Sequence, residues 1–414
     1  MQSIYLDHAA TTPLDKRVLA AMLPFFTKTF GNPSSFHTPG LRAKEAVAAA
    51  RKSCATVLNA HADEIVFTSG GTEADNLALL GVIRSATVSL GRMTMRPYSL
   101  LSTLSHPHVI ASAIEHPAVL EPLAALEKSG AIELTLLPVD KFGRVVPDDL
   151  SHALRPETIL VSVMYANNEI GTLEPIAEIG RLLLKWRKTH DTPYPYFHSD
   201  ACQAAGALAL DVEKSHVDLL ALNGGKIYGP KGVGCLFVRR GLKLEPLMYG
   251  GGQERNLRSG TENVPGIVGL ATALGLAQAE KERENKRLTV LRDRLIQGLL
   301  KIPKTRLNGH PTERLPNNVN VSFMDIEGEA AVLYLDALGI FASTGSACAS
   351  QTLDPSHVIL ATGMSYEAAH GSIRFTLGHG TKKTDIDYVL KVMPGIVEKL
   401  RHMSPVNLDM KYFR

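Results

Sequence analysis

At 414 residues, 45% of them hydrophobic and 21% charged, the chain is long enough for one large domain and a smaller one, each with a filled core. Forty-four Lys and Arg against 41 Asp and Glu leave a net charge of +3. That surplus is too small for a nucleic-acid binder or a protein held on an anionic membrane, so the expected ligand is small. No apolar run approaches the roughly 18 residues that span a bilayer, and Met1 leads into SIYLDHAATTP with no basic and apolar signal region, which predicts a soluble, cytoplasmic protein.

In chain order, GLRAKEAVAAARKSCATVLNA has helical spacing, EIVFTSG is a short apolar run, and TEADNLALLGVIRSA is helical again. Apolar runs recur at HVIASAIEH, IELTLLPV, TILVSVMYANN, YFHSDA, VDLLALNGG and GVGCLFVRR, with helical segments such as IAEIGRLLLKWRKTH between them. Such alternation predicts a mostly parallel sheet flanked by helices, with ligands gathered at the carboxyl ends of the strands. Ser85 to Pro107, rich in Ser, Thr, Met, Arg and Pro, is expected to be an inserted surface loop. After GGGQERNLRSGTENVPG a long helical stretch, charged in its middle, can bridge two bodies. The domain boundary is placed there: 15–262 as the large domain, and 1–14 with 263–414 as a small α+β domain. Cys54, Cys202, Cys235 and Cys348 are far apart with no Cys-x-x-Cys spacing, so neither a disulfide framework nor a zinc knuckle is indicated.

LNGGKIYGPKGVG, residues 222 to 234, sets Lys226 and Lys231 among glycines. A Walker loop requires Ser or Thr after its lysine, and here Ile227 follows Lys226. Glycines also let a backbone approach a planar ligand, and a lysine in a water-poor site can lose its proton and form an imine, as pyridoxal phosphate requires. That cofactor needs a carboxylate against its pyridine nitrogen. Asp200, at the end of the predicted strand YFHSD, supplies one, although an Asp there can equally cap a helix. It also needs amide donors for its phosphate, and SGGTEADN offers Gly70, Gly71 and Thr72 at a helix start.

Taken together and in order, YLDHAATTPLD, FGNPSSFH, FTSGGTEADN, EHPAVL, NNEIGT, HSDACQAAG, KIYGPKGVG, GGGQERNLRSGT, STGSACAS and SIRFTLG resemble, nearly end to end, the pyridoxal-phosphate-dependent cysteine desulfurases that supply sulfur for iron–sulfur clusters. The resemblance implies an α/β protein of the fold-type I transferase class, with a mostly parallel seven-stranded sheet in the large domain, working as a homodimer with its site at the subunit interface. By motif position it makes Lys226 the imine-forming lysine that moves the Cα proton, and Lys231 structural. Asp200 becomes the partner of the pyridine nitrogen, and His116 the residue stacked on the ring. An imidazole suits that place as acid or base because it titrates near neutrality. Asn168 and Gln203 would bond the ring oxygen. Gly71 and Thr72 would hold the phosphate, joined by Thr261 from the other subunit, and Arg374 would clamp the carboxylate of the substrate, L-cysteine, in a fork.

The same resemblance makes Cys348 the sulfur carrier, which would pass a persulfide to an acceptor or iron–sulfur scaffold protein and could ligand a transient cluster there. Its setting among small residues predicts a segment with reach. Cys202 is read as structural, and Cys54 and Cys235 as small core residues. Two places depart from the family pattern. Asn223, Gly224 and Gly225 stand where the family has Ser or Thr, one residue, then His, which predicts a weaker phosphate grip through the Asn223 amide and the Gly225 backbone. His379 replaces a second arginine in the segment after Arg374. A selenocysteine lyase, or another lyase or aminotransferase of this fold that does not use Cys348, is the nearest alternative. A non-catalytic partner-binding protein would have no need of Lys226, Asp200, His116 and Arg374 together.

Overall fold

The computed structural model describes residues 3–92, 106–345, 354–408 and 412. Its strands, in chain order, are β1 (Ile4–Tyr5), β2 (Ile65–Thr68), β3 (His108–Ser112), β4 (Glu133–Leu137), β5 (Thr158–Ser162), β6 (Tyr196–Asp200), β7 (Leu219–Asn223), β8 (Gly234–Val238), β9 (Thr305–Asn308), β10 (Asn318–Phe323), β11 (Ile340–Phe341) and β12 (Ser372–Thr376). Seven of them form one sheet in the order β2-β8-β7-β6-β5-β3-β4. Only β8 runs against its neighbours β2 and β7, and the other pairings are parallel.

Alternation along these short apolar runs divides the sheet between two cores. Ile110, Val161, Phe197, Leu220 and Phe237 face one side, packed with Val47 and Leu58 of the helix Thr38–Leu58 and Leu270 of the helix Val264–Leu299. Val109, Leu160, Leu219 and Leu236 face the other, packed with Leu77 and Val82 of the helix Gly71–Arg92 and Val119 and Leu123 of the helix Pro117–Lys128. Each fully buried Leu or Phe contributes about 1.5–3 kcal/mol, so two-sided burial fixes the register of the inner strands firmly.

A separate core joins Ile4 and Leu6 to Val319, Val321 and Phe375 of the antiparallel sheet β12-β10-β9 and to Ile386, Val389 and Met393 of the helix Lys383–Met403. The 36-residue helix Val264–Leu299 gives Val264 to Leu274 to the first core and Leu288 to Leu299 to this one. The stretch from Ser85 to Pro107 does not begin as a loop: the helix Gly71–Arg92 runs through its start. Leu79, Val82, Ile83 and Ala86, spaced i, i+3, i+4, i+7 and all buried, carry the apolar stripe past the composition change that suggested a loop. Residues 93–105 lie outside the described part. Among the described residues no helix is long and apolar enough to cross a membrane.

Candidate active site

The carboxyl ends of β2, β3, β5, β6 and β7 all open on one edge of the sheet, as parallel strands dictate. A cavity of about 390 Å³ lies there, and Lys226, Asp200, His116, Gly71, Thr72, Asn168, Gln203, Asn223 and Arg374 all line it. A larger hollow of about 850 Å³ lies against Tyr5, His8, Arg17, Tyr228 and Lys231. We place the site in the smaller cavity, where an amine, a carboxylate, an imidazole and a helix N-terminus converge.

β7 ends at Asn223, and the tight turn Gly224–Lys226 follows. Gly224 is required there, since a Cβ would come within 2.7 Å of the Pro230 carbonyl oxygen. Lys226 Nζ donates to the carbonyls of Ala9 (2.9 Å) and Ala10 (2.7 Å), which holds the half-buried amine at the cavity wall. Lys231 turns to the other hollow, with Nζ 3.4 Å from the Thr12 carbonyl oxygen. Gly225 does not line the cavity, and its N–H donates to Asn223 Oδ1 at 2.9 Å. That backbone donor, expected to face a phosphate, is therefore already engaged. Asn223 Nδ2 is left near Gly71, 3.7 Å from where a Cβ of that glycine would stand.

Gly71 opens the helix Gly71–Arg92, whose first-turn amides have no intrahelical acceptor and present a positive dipole end to the cavity. A Cβ on Gly71 would sit 2.7 Å from Cys202 Sγ. Cys202 is thus the floor beneath that helix start, and burial pushes its thiol well above the ordinary range, so it stays protonated and inert. Gly71→Ala is expected to weaken cofactor binding about tenfold by displacing the helix start, and adding Cys202→Ala to restore most of it. Equilibrium binding of pyridoxal phosphate to the apoenzymes checks this; a double variant no better than Gly71→Ala would remove the contact as the cause.

Asp200 is 8% exposed, and its Oδ1 accepts the Cys202 N–H at 2.8 Å. The turn therefore holds one carboxylate oxygen, and the other oxygen has no such backbone anchor among the described residues. His116 caps the helix Pro117–Lys128, and its Nδ1 accepts the Ala118 N–H at 3.0 Å. That bond puts the proton of the neutral ring on Nε2. Burial lowers the imidazole pKa, and Lys226 and His357 lower it further against the opposing pull of Asp200. Gln203 Nε2 donates to the Ala9 carbonyl at 3.0 Å.

Arg374 comes from β12 of the other core and is 2% exposed. Nη2 donates to Asp7 Oδ1 at 2.9 Å and Nη1 to the Asn168 carbonyl at 3.2 Å, while Nε has no partner among the described residues. Three groups near it escaped the sequence reading, of which Glu169 and His357 line the cavity. Asp7 aims the guanidinium, Glu169 binds the Ser356 hydroxyl, and His357 Nε2 lies 3.0 Å from the Glu115 carbonyl oxygen. Asp7 and Glu169 stand inside the quoted motifs YLDHAATTPLD and NNEIGT, and a carboxylate within a motif near a predicted arginine is the signal that could have found them.

Besides Gly225, one described residue expected at the site stands apart from the cavity. Thr261 is exposed and does not line it. Cys348 lies outside the described residues, although Gly345, just before that segment, is on the cavity wall. His379, in place of the second arginine, stacks on Tyr228 at 3.8 Å and donates its backbone N–H to the Tyr228 hydroxyl at 2.9 Å. These residues fit pyridoxal phosphate: an amine at a strand end, a carboxylate with one oxygen held by the turn, a ring nitrogen of fixed tautomer, and a helix start with no Cβ at its first residue.

The aminotransferase class-V family model matches residues 4–389. A protein of Methanosarcina thermophila called cysteine desulfurase IscS is 53% identical over 98% of this chain and 94% of its own length. One of the same name from Dictyoglomus turgidum is 49% identical over 99% and 98%. Among solved structures, a NifS-like protein superposes with a TM-score of 0.85 at 35% identity, covering 96% of this chain and all of that one. The structure described as SspA in complex with cysteine gives 0.75 at 33% identity, covering 91% of this chain and 99% of its own.

Proposed function

The chain belongs to the class-V aminotransferase family, and we propose that it is a pyridoxal-phosphate-dependent cysteine desulfurase, which turns L-cysteine into L-alanine and leaves the sulfur as a persulfide on Cys348. The observation that carries this reading is the convergence of Lys226, Asp200, His116 and Arg374 on one cavity with the Gly71 helix start. When bound, the cofactor supplies an electron sink that makes the substrate Cα–H acidic.

The chain supplies the rest. Gly71, Thr72 and the Asn223 amide would hold the phosphate, Asp200 would partner the pyridine nitrogen, and Asn168 and Gln203 would bond the ring oxygen. Lys226 takes the proton from substrate Cα and later returns one. Arg374 retains Nε–H and one hydrogen on each Nη beyond its bonds to Asp7 and Asn168, and these donors orient the substrate carboxylate. His116, neutral at pH 7 because burial lowers its pKa, shuttles a proton through Nε2. The Cys348 thiolate attacks the substrate sulfur: an S–S bond forms, the C–S bond breaks, and its electron pair stays on the substrate carbon, which takes up a proton. Cysteine and a thiol become alanine and a persulfide, with no external oxidant.

The same reading divides the chain into a large domain, 15–262, and a small one, 1–14 with 263–414. It makes the protein a homodimer, to which the exposed Phe26, Phe30 and Phe36, at 56%, 70% and 94%, give support as large apolar side chains left in solvent. In that dimer Thr261 would reach the partner's phosphate site. An acceptor or scaffold protein would take the persulfide, with Cys348 able to ligand a nascent cluster during transfer. The test is incubation with L-cysteine, alanine assay and peptide mass spectrometry. One alanine per added sulfur, located on Cys348 and removed by dithiothreitol, is expected; pyruvate with free sulfide, or sulfur on another cysteine, would refute it.

A further inference from the structure

Beneath Asp200 lies a second polar layer that the reading above does not use. Asp75, in the second turn of the helix Gly71–Arg92, faces β6 and sets Oδ1 3.3 Å from His198 Nε2. The other ring nitrogen, Nδ1, is 2.9 Å from Ser162 Oγ on β5, where Ser162 is the register partner of His198. Asp75 is 1% exposed and His198 is wholly buried, and among the described residues neither Asp75 Oδ1 nor His198 Nε2 has another partner than the 3.3 Å approach between them. His198 stands two residues before Asp200, so both side chains leave β6 on one face, and Asp75 lines the same cavity as Asp200.

A charge count decides what this layer holds. Among the described residues the sole ion-pair partner of Asp75 is His198, with no lysine or arginine in reach. An ionised Asp75 beside neutral His198 would be a buried anion next to the Asp200 carboxylate, which low polarity makes costly. Burial, then the charges of Asp200 and Glu115, hold the Asp75 carboxyl well above the ordinary range, and burial pushes His198 down to about 4. The other titratable groups facing the layer are Glu115 after β3, raised to about 8 by burial, and the Cys202 thiol, raised likewise. Both are acids, so neither can supply a compensating cation.

We propose that Asp75 and His198 form a positioning pair that shares one proton and carries no net charge, and that, on the desulfurase reading, this neutral pair keeps Asp200 as the one anionic carboxylate opposite the pyridine nitrogen. The Asp75 hydroxyl donates to His198 Nε2, and Nδ1–H donates to Ser162 Oγ. An Asp75 acid freed of its acceptor would instead turn its O–H on Asp200 and weaken that carboxylate's hold on the ring nitrogen.

Histidine-selective ¹⁵N labelling of the apoenzyme, with His198→Gln to assign the signal, reads the pair directly at pH 7. A proton on Nδ1 alone, or on both nitrogens, is expected; a proton on Nε2 alone would overturn the proposal. This measurement needs no turnover, so its outcome is independent of whether cysteine is the substrate. The holoenzyme gives the second reading. His198→Phe strands the Asp75 acid against Asp200 and is expected to shift the visible cofactor band and weaken pyridoxal phosphate binding about tenfold. Adding Asp75→Leu removes the stranded acid and is expected to restore both. An unchanged band in folded His198→Phe enzyme, or no restoration in the double variant, would overturn the pair's role; a variant that does not fold leaves the labelling result to decide.

Discussion

Lys226→Ala is expected to lower alanine formation from L-cysteine by at least about 10⁴-fold and to abolish borohydride fixation of the cofactor. Acid–base catalysis by one positioned group accounts for about 10²–10⁴ of that, and loss of the covalent anchor adds to it. The geometry makes the lysine hard to replace. Nζ sits on two carbonyl oxygens, those of Ala9 and Ala10, in a pocket whose other nearby lysine, Lys231, turns away to Thr12. The carbonyls create a second effect, because removing their donor strands the Ala10 carbonyl among the described residues, at about 1–3 kcal/mol of stability, while the Ala9 carbonyl keeps its bond from Gln203 Nε2. Lys226→Arg separates the two: it can keep the carbonyl contacts but cannot form the imine. Equal inactivity in both variants, with a lower denaturation midpoint in Lys226→Ala alone, is the expected pattern. Borohydride-fixed cofactor in Lys226→Ala, on Lys231 or elsewhere, would show that the wrong amine has been chosen.

What was legible in the sequence is the part that local order encodes. The alternation of short apolar runs with helical segments marked the strands, because the centre of a strand buried on both faces is continuously apolar, as Ile159, Leu160 and Val161 are in β5. The motifs marked groups standing at strand ends, where chain position and spatial position coincide: Asp200 ends β6 and Asn223 ends β7. Pairings across elements were not legible. Asp75 reads as an ordinary polar residue early in a helix, and only the packing of that helix on β6 brings it to His198. A trace was there nonetheless, since His198, Ser199 and Asp200 are three polar residues in succession on a strand of an otherwise apolar interior. Gly225 shows the converse limit. Its backbone donor was counted as available to a phosphate, yet the Asn223 side chain, two residues back, had claimed it.

Arg374→Lys is expected to lower kcat/KM for L-cysteine about 100-fold, mainly through KM. A guanidinium has five N–H donors in a rigid fork; here one goes to Asp7 Oδ1 and one to the Asn168 carbonyl, which leaves three. An ammonium at the same place has three donors in all and would spend them on the same two oxygens. Losing two hydrogen bonds to a charged carboxylate, at about 1.5 kcal/mol each, corresponds to roughly two decades. A carboxylate remote from the breaking C–S bond is gripped about equally in the ground and transition states, so kcat should change little. Cysteamine, which lacks the carboxylate, provides the control: the wild type should turn it over poorly, and the substitution should scarcely change that rate. If cysteamine turnover fell by the same factor as cysteine turnover, the arginine would be acting through Asp7 and the β12 edge to hold the cavity together, and the carboxylate would have to be bound elsewhere.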